Sequence, residues 1–427
     1  MYFKLKIILF LVKIKTERLL GLQHREWYKR IKIFFFLSHL KRSDFYSSFH
    51  LIREKFSQLP LMNKSLLMQH FNAINTCGVT YQQAFDLALN AEKSRDFSAT
   101  IGEISVGLST GTSGNRGMFL VSDSERAKWV AYMIDRVIGF SFNKTKVAFF
   151  LRANNKLYES ARSNRLSFNF FDIYKKFDDH IERLNALHPD ILIAQPSVLM
   201  ILANKKQANL LTINPSKIIS VAEVLTQEDR SYIEAVFQLK LAEVYQCTEG
   251  FLASSCSEGN LHFNEDFLII EKKYLNKEKT KFHPIVTDLL RKTQPIVRYE
   301  LNDIISLKES CSCGSKFLTI DSIEGRSDDL ITLVDKNNTT GRIFPDILRR
   351  TIVLSCERIE DYVLIQKQDK VLELYIKSQK EESYALAVNA LVKVLKKYTI
   401  VDFKIYKLAS YEFKIGDKKR RIINESN

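Results

Sequence analysis

Four of the chain's 14 glycines (Gly107, Gly111, Gly114 and Gly117) fall within eleven residues, in the segment Gly107-Leu-Ser-Thr-Gly111-Thr-Ser-Gly114-Asn-Arg-Gly117. Glycine lets a backbone take φ > 0 and brings its N–H groups close to an anion, while Ser109, Thr110, Thr112 and Ser113 add hydroxyl donors. That is the chemistry of a polyphosphate cradle, to which Arg116 would add a planar donor fork. No Gly-Lys-Ser/Thr follows, so the segment is not a Walker loop. Gly107-Leu-Ser109-Thr-Gly111 also has the Gly-x-Ser-x-Gly spacing of a hydrolase nucleophile elbow. That elbow needs a helix directly after its serine, and here the chain runs on through Gly114 and Gly117. A plain Ser/Gly-rich surface turn is the other alternative.

A second constellation is Cys256, His262, Cys311 and Cys313, a C-x5-H and C-x-C set of soft ligands suited to tetrahedral zinc, although the spacing is not that of a standard finger. Free thiols and a core histidine are the competing reading. The chain's six cysteines form no disulfide framework, and no export signal precedes them, so a cytoplasmic protein is expected.

Further segments follow the glycine cluster in order: Ser220-Val-Ala-Glu223-Val-Leu with Arg230, Tyr245-Gln-Cys-Thr248-Glu249-Gly, and Pro295-Ile-Val-Arg298-Tyr-Glu-Leu-Asn-Asp303. After them come Ile323-Glu-Gly325-Arg326-Ser-Asp328-Asp329 and the tail Gly416-Asp-Lys418-Lys-Arg-Arg421. Together they resemble the motifs of the adenylate-forming enzymes, the superfamily of acyl-CoA synthetases and luciferases. The resemblance is nearest to its phenylacetate-CoA ligase-like and capsular polysaccharide-associated branches. It spans residues 40–421, most of the chain.

The resemblance implies an ATP-dependent ligase. A small-molecule carboxylic acid attacks the α-phosphate of ATP, giving an acyl adenylate that CoA, a carrier protein or an amine then intercepts. The loop Ser109, Thr110, Gly111, Thr112, Ser113, Gly114 and Gly117 would hold the β- and γ-phosphates, with Glu223 preceding the adenine pocket. Thr248 and Glu249 would serve the α-phosphate and Mg²⁺, a hard cation that a carboxylate suits. Tyr245 would stack on adenine, Asp303 would accept from the ribose hydroxyls with Arg326 nearby, and Lys418 would neutralise the attacked phosphate. Asp328 would be the hinge about which a small C-terminal domain rotates between the two half-reactions. A structural metal near the cysteines also occurs among such proteins. Two departures, Gln246 and Asn302 where the family has glycine, raise the alternative of a protein with reduced catalysis that serves as a binding or scaffold protein in surface polysaccharide biosynthesis.

These residues need a scaffold. After a helical stretch at Tyr81–Lys93, strand and helix patterns alternate from Ile101 onward: strands at Glu103–Val106, Lys146–Leu151, Asp190–Ala194 and Lys217–Val221, helices at Ser124–Phe140 and Gln227–Phe237. This alternation predicts an α/β domain with a largely parallel sheet, and the family fold implies mixed sheets with flanking helices. Beyond Leu333 the pattern changes to strands at Tyr362–Gln366, Val371–Lys377 and Ile400–Leu408 around a helix at Glu381–Tyr398, a small α+β unit. The expected organisation is a basic helical region at 1–60, a large ATP- and carboxylate-binding domain at 61–327, and a small mobile domain at 328–427.

Of 427 residues, 45% are hydrophobic and 26% charged, an ordinary globular balance. The formal charge is 64 − 49 = +15. Residues 1–60 hold 13 Lys or Arg and 4 Asp or Glu, a net +9, leaving +6 for the rest. No nucleic-acid partner is therefore expected from the catalytic segments. Apolar runs Ile7–Val12 and Ile33–Leu37 are far too short to span a bilayer. In Arg25–Arg42, the residues Trp27, Tyr28, Ile31, Phe34, Phe35 and Leu40 sit near helical spacing among cations. The stripe predicts a helix packed by that face, or peripheral contact with anionic lipid.

Overall fold

The computed structural model describes residues 2–49, 53–94, 96, 99–109, 116–139, 143–151, 165–173, 175–326, 329–334, 340–356, 359–368, 370–397, 403–413 and 420–426. The chain divides into two units, the first comprising Met1–Leu275, Pro284–Leu301 and Leu307–Asp321. The second comprises Asn276–His283, Asn302–Ser306 and Ser322–Asn427.

The first unit opens with helices α1 (Tyr2–Leu19), α2 (Glu26–Leu40) and α3 (Tyr81–Ser94), then a hairpin of β1 (Ile104–Leu108) and β2 (Met118–Ser122). Helix α4 (Asp123–Met133) follows directly and runs on as a π-helical turn, Ile134–Ile138. Its start is written in the sequence: the Ser122 side chain accepts from the Glu125 N–H, and Glu125 accepts from the Ser122 N–H, a capping box. Alternation then sets in, with β3 (Thr145–Leu151), β4 (Leu166–Asp172), α5 (Phe177–Leu187), β5 (Ile191–Ala194), α6 (Pro196–Gln207), β6 (Lys217–Val221) and α7 (Gln227–Phe237). It ends in β7 (Leu241–Cys247), β8 (Gly250–Ser255) and β9 (Leu261–Phe263).

This part of the sheet runs β4-β3-β5-β6-β7-β8-β9, parallel from β4 to β7 and antiparallel from β7 onward, and continues past β9 with the strand Thr319–Arg326. The switch follows from connection length: a helix carries the chain back from β4 to β5, from β5 to β6 and from β6 to β7, whereas two residues, Thr248 and Glu249, join β7 to β8. Strands β3 and β5 are apolar without alternation because both faces are covered. Val147, Phe149, Ile191 and Ile193 face a core built with α1, α2 and α4, whereas Ala148, Phe150, Leu192 and Ala194 face α5, α6 and α7.

The N-terminal helices belong to this unit. Ile7 and Ile14 of α1 lie in the same core as Ala127, Val130 and Ala131 of α4. Lys15 and Arg18 pair with the buried carboxylate of Asp135, and Lys32 and the Tyr28 hydroxyl both reach Glu17 at 2.7 Å. The expected packing face of α2 is corrected. Ile33, Phe36, Leu37 and Leu40 point inward, while Trp27, Ile31, Phe34 and Phe35 face solvent. The helix is apolar on both sides, so periodicity alone could not choose between them.

The second unit contains α8 (Pro345–Val353), then β10 (Ile359–Gln368), β11 (Val371–Ser378), α9 (Ser383–Leu395), β12 (Lys404–Lys407) and β13 (Ile422–Asn424). Its four-stranded sheet has the order β12-β11-β10-β13. Leu348 and Ile352 of α8 and Leu391 and Leu395 of α9 pack on Leu364, Leu372 and Leu374, the α+β arrangement expected of this segment.

Candidate active site

The glycine segment is the loop of the β1–β2 hairpin. The strands pair from Ile104 opposite Ser122 to Leu108 opposite Met118. Beyond them the Ser109 N–H donates to the Gly117 carbonyl at 2.7 Å, and the Gly117 N–H donates to Ser109 Oγ at 2.7 Å. These two bonds close the base of the loop. Thr110, Gly111, Thr112, Ser113 and Gly114 lie outside the described residues. A Cβ at Gly107 would stand 2.2 Å from the Phe119 ring, so the missing side chain is what lets Phe119 cross the hairpin. Ser109 follows β1 and is bonded across the hairpin to Gly117, a placement that argues against the nucleophile elbow. Arg116 stands at the same base: its guanidinium forms a two-pronged pair with Glu92 of α3, and its Nε donates to the Ser109 carbonyl at 3.0 Å. It braces the loop base.

Thr248 and Glu249 form the β7–β8 turn, where Thr248 Oγ1 donates to Glu249 Oε2 at 2.8 Å. Residues 288–294 hold this turn against the hairpin. Arg291 donates to the Thr248 carbonyl at 3.2 Å and to the Leu120 carbonyl of β2 at 3.3 Å. Gln294 adds a bond in each direction, accepting from the Leu120 N–H at 2.9 Å and donating to the Met118 carbonyl at 3.2 Å. Glu125 accepts from the Thr293 N–H at 2.7 Å, which ties the start of α4 to the same segment. Burial opposes ionisation of Glu125, but Arg291 and the bonds from Thr293 and Ser122 outweigh it and hold the carboxyl below its ordinary value.

Beneath the turn lies Asp288. A Cβ at Gly250 would stand 2.9 Å from Asp288 Oδ2, so glycine is required for the turn to sit on this carboxylate. Burial pushes the Asp288 carboxyl up to about 6, against the pull of Arg291. Asp288, Arg291, Gln294 and Glu125 were not found from sequence. They are isolated polar residues in separate segments, and only the capping-box spacing Ser122-x-x-Glu125 hinted at one of them.

The remaining expected residues are placed as follows. Tyr245 is half-buried in β7 opposite Ala253, at a bulge shared with Gln246. Gln246 Oε1 accepts from the Trp129 indole of α4 at 3.3 Å. Glu223, after β6, accepts from the Ser197 hydroxyl at 3.0 Å and from the Ser197 N–H at 3.2 Å, at the start of α6. Arg298 is bidentate to Glu271 at 3.0 Å and also reaches the Ser57 and Leu59 carbonyls, a bracing role. In the second unit Asp303 and Arg326 form a pair at 3.5 Å. Asp328 and Lys418 lie outside the described residues. Their neighbours are paired: Arg420 with Asp329, and Arg421 with Asp361 at 3.4 Å.

The ligand atoms of Cys256, His262, Cys311 and Cys313 all lie within 4.8 Å of one another in the first unit. The Cys256 and Cys311 sulfurs are 3.7 Å apart, and Cys313 Sγ is 3.4 Å from His262 Nε2. Sulfurs held 2.3 Å from a tetrahedral centre would stand about 3.8 Å from each other, so the set fits a soft tetrahedral cation. His262 Nδ1 sits 3.2 Å from the Phe317 carbonyl, which accepts its proton and leaves Nε2 as the ligating nitrogen. The Cys313 N–H, together with His262 and the neighbouring thiols, pulls the Cys311 thiol down, while burial pushes the adjoining Cys313 thiol up.

No protein-family profile matches the chain. It is 29% identical over 143 residues to indoleacetate–lysine synthetase of Pseudomonas savastanoi and 28% identical over 167 residues to protein CapK of Staphylococcus aureus. These matches cover 32% and 38% of this chain and only 34% and 36% of the relatives' own lengths. Among solved structures, 2-hydroxyisobutyryl-CoA ligase bound to an acyl-AMP superposes with a TM-score of 0.64 at 13% identity, covering 91% of this chain and 85% of that one. The amide bond synthetase McbA from Marinactinospora thermotolerans superposes with a TM-score of 0.55 at 10% identity, covering 75% and 70%. Over most of its length, the chain has the fold of the adenylate-forming ligases.

Proposed function

We propose that the protein activates a carboxylic acid with ATP, forming an acyl adenylate and pyrophosphate, and then passes the acyl group to an acceptor. The observation that carries this reading is the Arg291–Gln294 brace, which fixes the Thr248–Glu249 turn against the strand that emerges from the glycine loop. Attack on the α-phosphate builds charge on phosphate oxygens, and donors held in place beforehand lower that barrier without reorganising. In this reading Ser109 to Gly117 cradle the β- and γ-phosphates, Thr248 donates to the α-phosphate, and Glu249 holds Mg²⁺. The Mg²⁺ ion would screen the phosphate charge as the carboxylate approaches. Glu223 and Tyr245 would border the adenine, Asp303 with Arg326 would take the ribose, and Lys418 would meet the charge at the reacting centre.

The acceptor is CoA, an amine or a carrier protein. Support for the first two comes from structural neighbours, one bound to CoA and one an amide bond synthetase, and from the lysine-coupling name of a relative. The phenylacetate-CoA ligase-like branch, a domain boundary at 327/328, a hinge at Asp328 and zinc at the Cys/His set belong to the same proposal. ATP supply would place the protein in the cytoplasm; among the described residues no helix is long and apolar enough to cross a membrane.

Pyrophosphate exchange into ATP over a panel of carboxylic acids tests the reaction. One acid should support exchange, and Glu249→Gln should lower it about 10²- to 10³-fold while leaving the fold intact. Gln246 and Asn302 favour a second reading, a non-catalytic binding protein of surface polysaccharide biosynthesis. No exchange with any acid would select it.

A further inference from the structure

Helices α1 and α2 are apolar on two sides. On α1, Ile7 and Ile14 are buried, yet Leu5, Ile8, Leu9 and Val12, at i, i+3, i+4 and i+7, form a second stripe in which every side chain is more than half exposed. On α2 the outward stripe is Trp27, Ile31, Phe34 and Phe35, with Phe34 65% exposed. Of the eighteen large apolar side chains exposed among the described residues, eleven lie between residues 2 and 35. A helix on a water-facing surface normally turns one apolar stripe inward and a polar face outward. A concentrated outward apolar surface marks a place of contact.

Charge identifies the partner. Residues 1–60 carry 13 Lys or Arg against 4 Asp or Glu, and the cations interleave with the stripes. Lys4, Arg25 and Arg30 are exposed, and the Lys6 ammonium lies 4.4 Å above the Tyr2 ring. Aromatic and aliphatic side chains among lysines and arginines suit the boundary between lipid headgroups and acyl chains, where the rings enter and the cations stay at the phosphates. Neither helix can cross a bilayer, so such a helix would lie in the plane of the surface. We infer that the outward faces of α1 and α2 dock this protein on an anionic lipid surface. The inference does not depend on the ligase reaction.

Cosedimentation of the full chain tests it, using large unilamellar vesicles of phosphatidylcholine alone or with about 30 mol % phosphatidylglycerol. Binding to the anionic vesicles should be at least about tenfold tighter and should weaken with salt. The double variant Leu9→Ser/Phe34→Ser, which touches only exposed side chains, should lose about tenfold of that binding at an unchanged melting temperature. Without any substitution, Trp27, one of two tryptophans, should shift its emission to the blue on binding. Absent binding, equal binding to both vesicles, or an unshifted emission would overturn the inference. So would lipid-free self-association abolished by the double variant, which would assign the face to a second copy of the chain.

Discussion

At Gly250 a single absent methylene decides the geometry, because any larger residue would press on Asp288 at 2.9 Å. The carboxylate under the turn is fully enclosed, and its raised value of about 6 is a statement about stability as well as charge. A folded-state value above the unfolded value of 3.8 means that the folded protein favours the protonated acid. This contribution is complete below about pH 4 and is lost as pH rises through about 6. Two units at about 1.4 kcal/mol each make the loss about 3 kcal/mol. In urea denaturation at pH 4.5 and 7.5, the stability of wild type relative to Asp288→Asn should therefore fall by about 2–3 kcal/mol on going to the higher pH. A difference that does not change with pH would mean that the carboxyl is not shifted.

Between elements, the Cys/His set gathers ligands from three successive stretches of the antiparallel part of the sheet. Cys256 leaves the end of β8, His262 lies in β9, and Cys311 and Cys313 precede the strand Thr319–Arg326 that pairs with β9. A metal there would pin the antiparallel part of the sheet, so binding energy becomes folding energy. Purified protein should contain about one zinc per chain, and a strong chelator or Cys311→Ser should lower its melting temperature by several degrees. Metal-free protein of unchanged stability would assign the four residues to ordinary packing. What could be read in advance also divides by element. Strand β5 was legible because an unbroken apolar run bounded by helix signals has few other uses. The outward stripe of α2 was not, since Ile33, Phe36 and Leu37 offer an equally good inward face. The motif residues Thr248 and Glu249 stood out in a local pattern, whereas Arg291 and Gln294, which hold that turn to β2, carry no local pattern at all. The pairing of Arg116 with Glu92 was equally illegible, because the two lie 24 residues apart.

Across the whole molecule the expected chemistry is divided between two units. Ser109, Thr248 and Glu249 belong to the first, while Asp303, Arg326 and the segment bearing Lys418 belong to the second. The net charge of +15 is a poor guide to that chemistry, because the excess gathers in the first 60 residues and many catalytic-segment cations are already paired. In the proposed reaction, adenylation and acyl transfer would draw on different groups of the second unit. The half-reactions should then separate genetically. Lys418→Ala should abolish pyrophosphate exchange, since neutralising charge at the attacked phosphate matters only in the first step, with a loss of about 10²-fold or more. The same variant, supplied with a chemically prepared acyl adenylate and the acceptor, should release AMP within a few fold of the wild-type rate. Equal loss of both reactions would show that the lysine supports the fold or both steps. Unchanged exchange would move the role to its neighbour Lys419, where Lys419→Ala provides the matching measurement.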